Sequence, residues 1–453
     1  MSKLCVGYSR VDFTPDESIP LYGYGISSER MSTRVLDRLF LTCLALEDEQ
    51  GERALIYGID ACTAGNVCTE RWRPAVSRAT GVPVERIMVS ATHTHSGPAF
   101  SNFDEPSIDR LKDRLEELFV RVAQEALADC KPATASCAKV ATQHLTFVRR
   151  YVLADGSYAG ANYGRFDRVP IKCAESKADP MLRLLKFQRE GGKDILVANF
   201  QSHPLLTGGQ DRYDVSSDFV GPMRDKVEQE LDCHVLYITG GAGNLNPRSV
   251  IKEENRYADH VAHGQALADY AIQAEGTYEP ITLGKVRSLS RVKVFPTNHA
   301  EDCKVEQAKE LLEQWKTPAD MERCTELAQQ MGFNSVYHAE FVIQKAAMGE
   351  EQDIELNAIS VGDVAFVFAN YEMFDTNANQ IRDGSPFGFT CVCTSCNVDE
   401  DHGYMYIPSQ LGYDHGGYSA DSCVFASGAG EKLASEYVHM LYRMFDRDEA
   451  NRY

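Results

Sequence analysis

Two imidazoles one residue apart stand in the string Val89-Ser90-Ala91-Thr92-His93-Thr94-His95-Ser96-Gly97-Pro98. Neutral imidazole is the commonest metal ligand among side chains. In an extended strand alternate side chains share a face, so His93 and His95 are expected to converge on one centre, which a metal could occupy. From an H-x-H alone, strand histidines bonded to backbone groups are the other reading. His203 follows the apolar run Asp194–Phe200 in Gln201-Ser202-His203-Pro204 and repeats the design of a strand feeding a histidine into a loop. Glu372 comes just after the apolar run from Val364 to Asn370. A carboxylate placed there is expensive unless a cation or hydrogen bonds compensate it.

Arg149 and Arg150, flanked by Phe147, Val148 and Tyr151, can aim at least one guanidinium inward at a carboxylate, phosphate or carbonyl; two solvated arginines are the alternative. The loop Gly240-Gly241-Ala242-Gly243-Asn244-Leu245-Asn246-Pro247 lacks the Gly-Lys-Ser/Thr of a phosphate loop, so nucleotide binding is not expected of it. Its amides, Asn244 and Asn246, suit contact with a polar substrate. Cys391-Val392-Cys393-Thr394-Ser395-Cys396 has zinc-like spacing, but no second Cys/His pair follows it; buried strand thiols are the expectation there.

The elements that must position these groups can be read from periodicity and turn chemistry. Strands are expected at Val6–Thr14, Arg38–Glu47, Arg53–Asp60, Ile87–Ser90, Asp194–Phe200, His234–Thr239, Ile354–Ser360 and Val364–Asn370. Helices are expected around Arg71–Ala79, over Pro106–Ala128, from Ser216 through Glu230, and at Glu431–Phe445. The Pro106–Ala128 helix carries Leu111, Leu115, Leu118, Phe119, Val122 and Ala126 at three- and four-residue spacings. Lys304–Met348 reads as mostly helical, with Leu311, Leu312, Trp315, Leu327 and Met331 as core contacts and Thr317-Pro318 as a break. Glycine-punctuated loops are expected at Leu21–Gly25, at Gly208-Gly209 and over the aromatic stretch Gly403–Tyr418.

Composition bounds the partners. A net charge of -20 argues against nucleic acid or an anionic membrane as the main partner, since both need clustered Lys and Arg. The start, Met1-Ser2-Lys3-Leu4-Cys5-Val6-Gly7, lacks the order of a secretory signal, and no run reaches the ~18 apolar residues of a membrane span. The expectation is a cytoplasmic protein without membrane insertion that acts on a small molecule, with a homo-oligomer left open. The 14 cysteines fit that compartment as thiols, with Cys43, Cys62, Cys137 and Cys233 read as small hydrophobes inside apolar elements.

Taken together these motifs resemble the catalytic domain of the neutral ceramidases, zinc-dependent amidases that cleave the N-acyl bond of ceramide, and more closely their short bacterial relatives. The resemblance runs from Val6-Gly7-x-x-x-Val11-Asp12-x-Thr14-Pro15 to the end of the aromatic loop, and Thr92–Pro98 is its most specific string. It implies an α/β (mixed α+β) fold of two packed mixed β-sheets flanked by helices, a four-layer αββα arrangement. It also implies a single catalytic domain over residues 1–453, without the carboxy-terminal immunoglobulin-like domain of that family. By the same resemblance His93, His203, Glu372 and Tyr406 (in Tyr-Ile-Pro-Ser) would hold Zn²⁺. Tyr418 would face the reacting carbonyl, with His95 bonding substrate or moving a proton and Arg149 steadying a developing oxyanion.

One departure bears on mechanism. Where the family has Gly-Asp-Val-Ser-Pro this chain has Gly243-Asn244-Leu245-Asn246-Pro247. An Asn cannot act as a covalent nucleophile, so Asn246 is expected to contact substrate while metal-activated water attacks. This departure and the missing domain point away from long-chain ceramide in a membrane and toward an amide or ester of a small polar, sugar-like molecule. A metal-dependent glycoside-cleaving or proton-transferring enzyme on carbohydrate, and a non-catalytic protein that keeps its metal, are the two alternatives.

Overall fold

The computed structural model describes residues 4–24, 30–101, 105–161, 166, 169–208, 211–315, 321–397 and 406–449. Gly25, Gly209, Thr317-Pro318 and Gly403–Met405 lie outside the described residues.

The amino-terminal strand Leu4–Asp12 lies at the centre of a nine-stranded mixed sheet. On one side it pairs antiparallel with Phe40–Glu47, which turns back through Asp48 into Arg53–Ile59. The turn is closed by Asp48 Oδ1, which accepts from the Gln50 and Glu52 amides at 2.9 and 3.0 Å. Arg53–Ile59 then pairs parallel with Ile87–Ala91. On the other side the path runs through Lys131–Ala141, Met181–Arg189 and Ile195–Phe200 to His234–Thr239, and this last pair is also parallel.

A second, four-stranded sheet is ordered Val286–Pro296, Glu351–Val361, Val364–Phe368, Phe389–Cys393, again with one parallel pair at its end. The two sheets pack face to face, with Val6, Leu44 and Ile56 from the first meeting Ile359, Phe366 and Phe389 from the second. Such a doubly covered strand must be apolar throughout, which is why all five residues of Val364–Phe368 are buried. Helix Pro106–Ala128 lays its Leu111, Leu115, Phe119 and Val122 stripe on the outer face of the first sheet, and helices Val220–Leu231 and His260–Gln273 cover the rest of that face. Each large apolar side chain so buried contributes about 1.5–3 kcal/mol. Helices Asp375–Asp383 and Ala429–Glu449 cover the second sheet, completing the αββα order.

The first sheet coils so far that strands distant in its order meet. Tyr8 donates to the carbonyl of Val235 at 3.1 Å, and Thr239 Oγ1 donates to the carbonyl of Thr92 at 2.7 Å. The second sheet closes the same rim, where the Thr394 amide donates to Thr239 O at 3.0 Å and Thr394 Oγ1 to Gly240 O at 2.8 Å. The carboxyl ends of the three parallel pairs therefore lie together, and loops at such strand ends are where mixed α/β sheets place ligands.

Most of the expected elements occur within a few residues of their expected bounds, and the helical region resolves into Val305–Leu312, Met321–Gln330 and Val336–Ala346. Lys131–Ala141, Met181–Arg189 and Val286–Pro296 were not expected as strands. Their polar and basic side chains obscure the alternation, and buried Arg183 and Arg189 are paired with Asp179 and Asp129. Among the described residues no helix is long and apolar enough to cross a membrane.

Candidate metal centre and adjoining cavity

The convergence of His93 and His95 is observed, but strand alternation does not cause it. The strand ends at Ala91, and His93 lies beyond it with φ 68°, in the left-handed region. For a non-glycine residue that conformation costs on the order of 1–3 kcal/mol and persists only where surroundings enforce it. Here the Thr92 amide donates to Ile59 O and the His93 amide to Ala61 O, each at 2.8 Å, while the His95 amide donates to Pro204 O at 3.0 Å. The reversal brings His95 Nε2 to 3.4 Å from His93 Nε2.

His203 follows its strand as expected and is fully buried. Glu372 belongs to a two-residue strand that pairs parallel with Tyr406–Ile407, so that Glu372 and Tyr406 are direct partners. Gly243 packs against the backbone of Glu372 so closely that a Cβ would collide with the Glu372 carbonyl, and its amide donates to Met373 O at 2.9 Å. This fixes the direction in which the carboxylate points.

The protonation pattern of these groups is what suits them to a cation. His93 Nδ1–H donates to Cys62 O and His203 Nδ1–H donates to Leu245 O, each at 2.8 Å. In the neutral form both rings would therefore present an Nε2 lone pair toward Glu372 Oε2, which lies 3.3 Å from His93 Nε2 and 2.7 Å from His203 Nε2. Three acceptors in a buried space repel one another unless a proton or a metal ion stands between them. His93, His203 and Glu372 can each offer one ligand atom within 4.8 Å of the others, so the described residues include a cluster able to hold a metal. Without an ion, burial pushes His93 down but the neighbouring Cys62 and Glu372 outweigh it and hold the imidazole well above its ordinary range. Burial takes His203 down to about 4. Burial also lowers His95, helped by His93 and His203, which leaves it neutral at pH 7.

Arg149 is buried beside this cluster. It donates from Nη2 to Gly243 O at 2.7 Å and to Ser419 Oγ at 3.2 Å, and its guanidinium lies 4.9 Å from the centre of the Tyr406 ring. The Tyr406 and Tyr418 rings are 5.7 Å apart, and burial raises both phenols, so both remain protonated at neutral pH. Arg149 and Tyr418 also wall a cavity of about 450 Å³ whose other sides include Arg150, Glu175, Asn334 and His415. Arg150 is likewise turned inward, pairing with Glu175 at 2.9 Å and donating to Gly412 O and Gly416 O.

The two amides have different environments. Asn244 is buried and engaged at both ends by Asp375, donating to Oδ1 at 2.8 Å and accepting from the Asp375 amide at 2.9 Å. Asn246 pairs through its backbone with Phe147, and its Oδ1 is buried with no hydrogen-bond partner.

Three groups at the centre were not singled out by the sequence reasoning. Cys62, read there as a small hydrophobe, places Sγ 3.7 Å from His93 Nδ1. Arg30 donates to the carbonyls of His95 and Tyr22 at 2.7 and 3.0 Å. Gly23, at φ +115°, lies where a Cβ would be 2.6 Å from the His95 ring. The signal for Cys62 was present, since it follows the strand that ends at Ile59 as His93 follows its own. Cys391, Cys393 and Cys396 are buried between the sheets as expected, whereas Cys137 is half-buried.

Fold and site together define a mixed αββα protein with a buried His-His-Glu cluster at its strand ends. That fold is the one of the neutral ceramidases. The chain superposes on neutral ceramidase from Pseudomonas aeruginosa with a TM-score of 0.72 at 15% sequence identity, covering 99% of this chain and 75% of that one. It matches a structure described as "Ceramidase complexed with C2" with a TM-score of 0.71 at 15% identity, covering 99% and 76%. No family model matches the sequence, and no curated protein does.

Proposed function

We propose that this protein is a zinc-dependent hydrolase that cleaves an amide or ester bond, of N-acyl type, in a small polar substrate. The observation that carries the reading is the buried meeting of His93 Nε2, His203 Nε2 and Glu372 Oε2 with each imidazole tautomer fixed by a backbone carbonyl. His93, His203 and Glu372 would hold the metal, with Tyr406 as a weak fourth ligand drawn in by its pairing with Glu372. When bound, such an ion supplies water with a pKa of roughly 7 and polarises a carbonyl.

The other groups have distinct roles. Arg149 keeps its charge beside the cluster and Tyr418 keeps its proton, so both can donate to a developing oxyanion. His95, neutral and 3.4 Å from His93, can take a proton at Nε2 and return it to the leaving group. Asn246 Oδ1, buried and unpartnered, accepts from a substrate N–H or O–H. Asn244, expected to touch substrate, is instead a positioning residue that fixes Asp375 and the turn behind Glu372. The charged and hydrogen-bonding side chains around the cavity suit a polar group better than a long acyl chain. The ceramidase fold of the solved neighbours supports amide chemistry over glycoside cleavage.

The test is a panel of acyl-amide, ester and glycoside chromogens assayed before and after chelation. Amide or ester turnover that disappears with the metal and returns with Zn²⁺ is expected. Turnover of glycosides alone, or amide cleavage indifferent to chelation, would overturn the reading.

A further inference from the structure

His93 has potential ligands on more than one side. Besides His203 and Glu372, it is flanked by Cys62, whose Sγ is 3.7 Å from Nδ1, and by His95, whose Nε2 is 3.4 Å from Nε2. Cys62, His93 and His95 can each offer a ligand atom within 4.8 Å of the other two, and all three are buried, at 2, 3 and 8% exposure. The Nδ1 of His95 is buried without a hydrogen-bond partner. The thiol is not on a loose surface rotamer. Cys62 follows Ala61, whose carbonyl holds the His93 amide, and Asp60, which is locked by Arg224 at 2.8 Å. A thiolate with two imidazoles is a softer donor set than two imidazoles with a carboxylate, and it selects thiophilic ions over Mg²⁺, Ca²⁺ or Mn²⁺.

We propose that Cys62, His93 and His95 form a second metal position, overlapping the first at His93, that takes a thiophilic divalent ion such as Zn²⁺, Co²⁺ or Cd²⁺. On binding, the Cys62 thiol gives its proton to solvent and Sγ forms the bond to the ion, with no change of oxidation state. An ion held through His93 Nε2 takes the hydrolytic donor directly, and one held through Nδ1 ends the bond to Cys62 O and leaves the ring proton on Nε2; either way His93 is lost to the hydrolytic position and His95 is occupied, so turnover is blocked. Excess thiophilic metal is then inhibitory through Cys62. The inference rests on the proposed hydrolytic site only in that the two positions share His93.

The experiment is a Co²⁺ titration of the metal-free full chain, following the thiolate-to-cobalt charge-transfer absorption in the near ultraviolet. Glu372→Gln and His203→Ala each cripple the first position and leave the second intact, so both are expected to bind Co²⁺ with a strong thiolate band. Adding Cys62→Ser, or His95→Ala in case the first double variant folds poorly, should abolish that band. Because Cys173 and Cys303 are exposed thiols, only a band that depends on Cys62 counts. Cobalt bound by the wild type with no thiolate band, and lost from both single variants, overturns the second position and leaves the first standing. A band that survives Cys62→Ser overturns it as well. A wild-type chain that binds Co²⁺ only with the Cys62-dependent band, unchanged by loss of Glu372 or His203, upholds the second position and removes the hydrolytic one.

Discussion

The floor of the site and the wall of its cavity differ in how far side chains depend on one another. On the floor, side chains are aimed by backbone: His93 through Cys62 O and a left-handed turn, His203 through Leu245 O, and Glu372 through strand pairing and the close approach of Gly243. On the wall, contacts between side chains of separate segments add to backbone contacts such as those of Arg150 with Gly412 O and Gly416 O. Asn334 donates to both carboxylate oxygens of Asp421 at 2.9 Å, Lys345 donates to Asp421 O at 2.9 Å, and His338 pairs with Glu301 at 2.7 Å, which ties the helical region to the turn carrying Tyr418 and Ser419. Backbone-aimed groups keep their geometry when a neighbouring side chain changes, whereas a side-chain network shifts as a unit. Damage to the floor should therefore abolish chemistry, and damage to the wall should alter what is bound.

The strongest test of that contrast is His93→Ala, which removes the donor common to both clusters and is expected to eliminate both bound metal and turnover, whereas Glu372→Ala should abolish turnover and leave only metal that depends on Cys62; metal analysis beside an activity assay reads it. Full metal content in His93→Ala, or undiminished turnover in Glu372→Ala, would break the assignment of the floor. Arg149→Lys keeps the charge but loses the planar fork, and it should lower kcat about 10²-fold with the metal retained. If metal is lost with it, Arg149 belongs to the floor through its contact with Tyr406. Asn246→Ala removes one hydrogen bond to a neutral partner, worth roughly 0.5–1.5 kcal/mol, and should cost about 2- to 13-fold in kcat/KM. A loss approaching 10⁴-fold with metal retained would make Asn246 part of the chemistry.

Smaller effects probe the wall. Asn334→Ala should raise KM roughly fivefold and leave kcat within about twofold, the pattern of lost uniform binding. A fall in kcat alone would mean that the network positions Tyr418 for chemistry. Glu301 is held down at about 2 by its bond to His338, with Lys304 assisting. A carboxylate depressed in the folded state contributes stability above its unfolded pKa of about 4.3, and that contribution is lost as pH falls toward 2. Glu301→Gln should thus cost on the order of 1 kcal/mol at neutral pH and flatten the acid side of the stability curve, with no change in metal content. Chemical denaturation at several pH values between 2 and 7 measures it.

Much of the floor was legible in the chain alone, because a candidate ligand at a strand end carries a local signature. An apolar run ending in Thr-His-Thr-His, in Gln-Ser-His-Pro or in Tyr-Glu names both the donor and the element that delivers it. The long amphipathic helix and the buried hairpin strands were legible for the same reason: their periodicity is written within a few turns or residues. The wall was not. Asn334, Asp421 and Glu301 meet across wide sequence separations through polar contacts that leave no period.

Residue types and order thus determined the candidate donors, the strands that carry them, and the absence of a serine at Asn246. Tertiary structure alone decided which atoms face which. The coil of the first sheet brings the end of Ile87–Ala91 beside that of His234–Thr239, and a two-residue bridge sets Tyr406 against Glu372. The same folding turned Asn244 onto Asp375 and placed the Cys62 thiol next to His93. The physical reason is that strand periodicity fixes only the face a side chain takes, whereas its partner across the site depends on sheet twist, on one left-handed residue and on pairings between distant segments.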